Sequence, residues 1–171
     1  MFGRLRVTSK NQKGYTLNEM LVALAILGVI APAISMVIFQ VISVNTLTGN
    51  HLTAVNQVEN AMYWIGRDAQ MAQTVQTGGG SGFPLNLTWV DWDLTSNNVT
   101  YSIQNGELQR AYSINGGLPT STVVAQHINN DSEATNCQYA SGVLTFKITA
   151  SLGGFRPKSE TRIHEVFPKS Q

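Results

Sequence analysis

With one cysteine, Cys137, in 171 residues, the chain can form no internal disulfide, and its fold must be held by packing. Cys137 reads as a small buried side chain, with a reactive or intermolecular thiol as the alternative. Charge is also sparse, at 12% of residues, and nearly balanced, which leaves no basic footprint for nucleic acid. Paired cysteines, a Gly-x-Ser-x-Gly elbow and a His-Glu-x-x-His helix are all missing, and with them the usual signals of thiol, serine-hydrolase and zinc-protease chemistry. His51, His127 and His164 are far apart in the sequence and lack metal-ligand spacing. Asp91 and Asp93 lie two apart, and Asn129-Asn130-Asp131-Ser132 is rich in oxygen ligands, but neither has the cadence of a calcium loop. The glycine-rich stretch Thr77 to Gly82 is not followed by Gly-Lys-Ser/Thr, so it is no phosphate cradle. The expectation is a protein that is not an enzyme, with no metal site and no cofactor.

What is present is unevenly distributed. The first fourteen residues hold Arg4, Arg6, Lys10 and Lys13 and no acid, whereas seven basic residues face ten acidic ones from Tyr15 onward. Met20 to Phe39 (MLVALAILGVIAPAISMVIF) has no charge at all. Twenty helical residues span roughly 30 Å, the thickness of a bilayer core. Positive residues ahead of the run hold the N-terminus inside and send the rest of the chain across. A secretory signal fits poorly, because its apolar stretch is only roughly 7–15 residues and a small-residue cleavage site closes it. Gly14 lies before the apolar run, so a cut there would retain the hydrophobic segment. Glu19 sits at the edge of that segment, where an ionised carboxylate is expensive and asks for a function.

Gly14-Tyr15-Thr16-Leu17-x-Glu19 followed by an apolar run resembles the class III signal of type IV pilins and type II secretion pseudopilins. Asn18 departs from the family pattern at a usually apolar position. The resemblance spans residues 8–40. It implies that a prepilin peptidase cuts after Gly14, removes the leader over 1–14 and methylates the new amino group of Tyr15. It also implies that Glu19 meets the Tyr15 amine of a neighbouring subunit and sets register during filament assembly. Tyr15 and Glu19 are four apart and share a helix face, and in lipid each charge lowers the cost of the other. Gly28 and Pro32 interrupt the apolar run. Proline removes a helical donor and clashes with the preceding turn, so the residues predict a kink there, while the resemblance implies helix melting in the assembled filament. The implied partners are other pilin or pseudopilin subunits, the prepilin peptidase, an inner-membrane assembly platform, and membrane lipid before assembly. The implied location is the inner membrane, crossed once with the N-terminus inside, and then an extracytoplasmic filament.

Beyond the membrane segment the apolar positions thin to a stripe through Val44, Leu47, His51, Val55, Val58, Met62, Ile65, Ala69 and Ala72, spaced as on one helix face. Asp68 and Arg67 are assigned to the opposite face, and Gly49-Asn50 marks a candidate bend. After the glycines the pattern alternates with period two. Strands are expected over 85–93, 99–103, 107–112, 122–128, 143–151 and 161–167, with Asn105-Gly106 as a tight hairpin turn. Residues 129–139 and 153–160 read as loops. Trp64, Trp89 and Trp92 read as core residues, with a Trp89/Trp92 contact patch as the alternative.

The expected fold is therefore α+β and pilin-like. A membrane or filament-core helix covers 15–43, an amphipathic helix 44–76, and a β-rich domain 77–171. The hairpin region is similar to J-type pseudopilins and W-type minor pilins. The role expected is a minor pilin or pseudopilin; a major pilin and a single-span anchored binding protein are the alternatives.

Overall fold

The computed structural model describes residues 14–153 and 157–169. The basic leader expected over 1–14 lies, apart from Gly14, outside the described residues. The chain divides into two units, one ending at Val44 and one running from Asn45. The long helix α1 (Leu17–Met71) supplies residues to both.

In the first unit α1 is apolar on all sides. Leu21, Leu24, Leu27, Ile34 and Ile38 are all exposed on it, the mark of a helix whose cover is lipid or another chain. It is long and apolar enough to cross a membrane. The helix continues through Gly28 and Pro32. Pro32 has no N–H to donate, which deprives the Gly28 carbonyl of its helical partner. One turn on, the Ser35 hydroxyl donates to the Ala31 carbonyl at 2.9 Å.

In the second unit α1 buries Ala54, Val58, Ala61, Ile65, Asp68 and Ala69, and Ala72 just past its end is buried too. The buried line thus runs 54, 58, 61, 65, 68, 72, in steps of four and three. It differs from the expected stripe: Val44 and His51 are exposed, Leu47, Val55 and Met62 lie at its margins, and Asp68 is inside rather than opposite. The buried face is alanine-rich, at positions 54, 61, 69 and 72. No break occurs at Gly49-Asn50, but the helix ends at Met71, ahead of the expected 76. There the Gln73 N–H donates to the Thr88 carbonyl at 2.8 Å, and its side-chain oxygen accepts from the Val90 N–H at 3.1 Å. The β-branched residues Thr74 and Val75 then continue as a strand, which suits them better than a helix.

Among the described residues eight strands follow, in two antiparallel sheets. The first contains β1 (Thr74–Thr77), β2 (Leu85–Val90), β3 (Ser96–Gln104), β4 (Glu107–Ile114) and β5 (Thr120–Ala125), in sequence order across the sheet. The second contains β6 (Asn136–Ala140), β7 (Val143–Leu152) and β8 (Lys158–Val166), again in order. Asn105 and Gly106 join β3 to β4 with φ of 52° and 77°, the left-handed pair that a two-residue hairpin demands. β1 and β6 fall where helix and loop were expected. The β6 segment has no β-branched residue, and its order comes from pairing with β7 and from the Cys137 N–H donating to the Ser81 carbonyl at 2.8 Å. Leu85, Leu87, Val99, Tyr101 and Leu108 of the first sheet form one core with Leu144, Phe146 and Ile148 of the second and the buried face of α1. The architecture is α+β and pilin-like, one long helix packed on antiparallel sheets.

Candidate functional site

Thr16 caps α1. Its hydroxyl accepts the Glu19 N–H at 3.3 Å, and the Glu19 carboxylate reaches back, Oε2 accepting both the Thr16 N–H and the Thr16 hydroxyl at 2.9 Å. This reciprocal capping box satisfies donors that the first turn of a helix leaves open. The Thr-x-x-Glu spacing carries that signal in the sequence, but the family resemblance directs attention to Glu19 and Tyr15 alone. Both bonds from Thr16 end on Oε2, so among the described residues Oε1 has no partner and is free to take a further donor.

Gly14 and Tyr15 precede the helix and are exposed, Tyr15 at 86%. A Cβ added at Gly14 would meet nothing within 4 Å, so the fold does not require glycine at that position. A requirement for glycine there belongs to whatever handles the chain, not to the chain's own packing. Gly28 is equally open, with no atom within 4 Å of an added Cβ. Glu19 lies in the first turn of α1, whereas Tyr15 precedes the helix, which begins at Leu17 and not at 15, so the two do not share a helix face as their spacing suggests.

The second unit holds a polar cluster outside the sequence expectations. The Asp68 carboxylate is fully buried. Its Oδ2 accepts from the Tyr101 hydroxyl and from Arg110 Nε, each at 2.6 Å, and its Oδ1 accepts from Arg67 at 3.0 and 3.2 Å. Tyr101 and Arg110 are direct cross-strand partners, so the sheet register delivers both donors to one point on the helix. Charge-assisted bonds of this kind compensate a carboxylate for lost water. Burial would lower the Arg110 pKa, but the hydrogen bond and charge of Asp68 raise it instead. Two sequence signals point to this cluster: Asp68 fits the 54-58-61-65-68-72 spacing, and Arg110 has the inward parity of Leu108 and Tyr112.

The tryptophans separate. Trp89 is buried and stacks with Tyr112 at 6.5 Å, Trp64 is half-buried, and Trp92 is 96% exposed in the turn after β2. Asp91 and Asp93 brace that turn. Asp93 Oδ1 accepts the Thr95 N–H at 3.0 Å, and Asp91 Oδ2 accepts from the Asn97 amide at 2.8 Å.

Residues 9–31 match the family model of the prokaryotic N-terminal methylation motif. The match contains Gly14, Tyr15, Glu19 and Gly28, and it supports the pilin and pseudopilin family and processing by a prepilin peptidase. No curated protein and no solved structure matches the chain.

Proposed function

We propose that this chain is a minor subunit of a type IV pilus or of a type II secretion pseudopilus, with a structural and not an enzymatic role. The observation that carries the reading is the methylation motif over residues 9–31, in which an exposed Gly14 precedes a capped, lipid-ready helix. A prepilin peptidase cuts after Gly14 and methylates Tyr15, and the apolar helix holds the subunit in the inner membrane until the assembly platform draws it into a filament of related subunits. The new Tyr15 ammonium pairs with Glu19 Oε1, the oxygen that the capping box leaves open, on the same or a neighbouring chain. Gly28 and Pro32 make the intervening helix easy to unwind, since glycine costs a helix about 1 kcal/mol and proline about 3. The minor role is supported by the single cysteine, which rules out a disulfide loop within the domain.

Intact mass of the chain co-expressed with an active prepilin peptidase tests the processing step. The expected product begins at Tyr15 and carries one extra methyl group. A chain that keeps Met1 under those conditions overturns the proposal.

A further inference from the structure

A cleft of about 390 Å³ opens between α1 and the strands of the first sheet, lined by Trp64, Arg67, Trp89, Asp91, Arg110 and Tyr112 among others. We propose that it receives a carboxylate, the acidic side chain of an extended segment of another protein. The inference is independent of the processing reading, because its test requires neither cleavage nor a filament.

The cleft is built around two guanidinium groups held in fixed orientations. Arg110 lies 5.2 Å from the Trp64 ring and 4.9 Å from the Tyr112 ring, and Arg67 lies 4.3 Å from Trp64. Asp68 anchors both from beneath, taking Arg110 through Nε and Arg67 through Nε and one terminal nitrogen. Among the described residues, the hydrogen bonds to Asp68 use only Nε of Arg110, which also lies against the Tyr101 hydroxyl, and leave one terminal nitrogen of Arg67 without an acceptor. Every side-chain polar atom that is both described and buried is partnered, so that nitrogen faces solvent in the cleft. Asp68 is enclosed. The charges left facing the opening are the two guanidiniums and, beside the β2–β3 turn, the Asp91 carboxylate.

A planar guanidinium clamped between rings presents a rigid fork of N–H groups, which matches a carboxylate at little further entropic cost. The same clamping argues against a sugar. A sugar needs an open aromatic face, whereas guanidiniums cover Trp64 and Tyr112, and Trp89 is stacked on Tyr112. Asp91 keeps one carboxylate oxygen beyond its bond to Asn97, and that oxygen suits a peptide N–H flanking the acidic side chain. The cleft volume accommodates one side chain with its adjoining peptide units.

The test uses the full chain in polyoxyethylene detergent micelles and follows the indole N–H resonances of Trp64 and Trp89, with Trp92 as the internal control. N-acetyl-Gly-Glu-Gly-amide is expected to shift both saturably, with a dissociation constant on the order of 1 mM, while the Gln peptide binds at least roughly tenfold more weakly. Arg67→Gln leaves Asp68 with Arg110 and Tyr101, so the variant stays folded, and it is expected to weaken binding by about tenfold. Arg110→Lys keeps a cation over Asp68 but lacks the fork, and is expected to weaken binding to a similar degree. Equal response to the Glu and Gln peptides, or no saturable shift, overturns the proposal. A response to glucuronate without one to the Glu peptide overturns it in favour of an acidic polysaccharide.

Discussion

Asp68 ties α1 to the first sheet through Tyr101 and Arg110. An isolated carboxylate at zero exposure would be prohibitively costly, and here four donor contacts from Arg67, Tyr101 and Arg110 surround it. Removing the acid strands Arg110, whose side chain is only 13% exposed. Asp68→Ala is therefore expected to destabilise the fold by about 3–5 kcal/mol, measured by urea unfolding of the micelle-bound chain through its near-UV signal. Asp68→Asn keeps the volume but turns an amide N–H toward existing donors, and it should lose a smaller share. A cost below about 1 kcal/mol for the alanine variant would mean that the cluster is replaceable by water. Burial, followed by the charge and hydrogen bond of Asp68, raises the Tyr101 pKa above its ordinary 10.0. The unfolded phenol then ionises before the folded one, so this contribution to stability is complete below pH 10 and is lost as pH rises beyond it.

At the level of elements, the join between the two sheets shows where sequence pattern stops being informative. Gly82 has φ of 79°, and a Cβ there would fall 1.8 Å from the Cys137 carbonyl oxygen. The glycine-rich stretch Thr77 to Gly82 is thus a fitted contact: the Gly78 N–H donates to the Gly82 carbonyl, and the Cys137 N–H to the Ser81 carbonyl. Gly82→Ala combines strain with a backbone clash and is expected to cost about 3 kcal/mol or more. The Cys137 thiol reports it. Burial pushes that thiol up to about 12, so at pH 8 the wild-type chain should resist maleimide labelling, while the variant should label readily. Equal, slow labelling of both would show that the loop yields without loosening β6. The period-two strands β2 and β7 were legible because their inward residues are mostly apolar or aromatic, and β3 and β4 because the Asn105-Gly106 turn marks their hairpin. β1 and β6 were not: TVQT follows directly on the helical stripe, and NCQYA has no β-branched residue and gains its order by pairing with β7 across the Ser141-Gly142 turn. Asp68 escaped for the opposite reason: its position obeys the helical spacing, but a stripe read by apolarity passes over a charge. At the N-terminus the motif residues were plain, whereas the capping role of Thr16 was hidden behind the resemblance.

For the whole molecule, the proposed pairing with Tyr15 would give Glu19 a second role beside its cap, and a variant can separate the two. Oε2 closes the first turn of α1 through Thr16, which a neutral amide oxygen also does, since glutamine is an accepted capping-box residue. Pairing with the Tyr15 ammonium requires the charge. Glu19→Ala removes both functions, so its failure to assemble would not say which one matters. Glu19→Gln retains the cap and loses only the ion pair. If the pairing sets subunit register, the Gln variant should be cleaved after Gly14 at the wild-type rate, stay helical and membrane-bound, and fall out of sheared filaments by at least roughly tenfold, the factor that corresponds to about 1.4 kcal/mol per contact. Immunoblots of the sheared and membrane fractions, with intact mass to verify processing, measure this directly. Normal incorporation of Glu19→Gln alongside failure of Glu19→Ala would assign the residue to helix initiation, and the energetic case for an acid at the membrane edge would then rest on Thr16 and not on a neighbouring subunit.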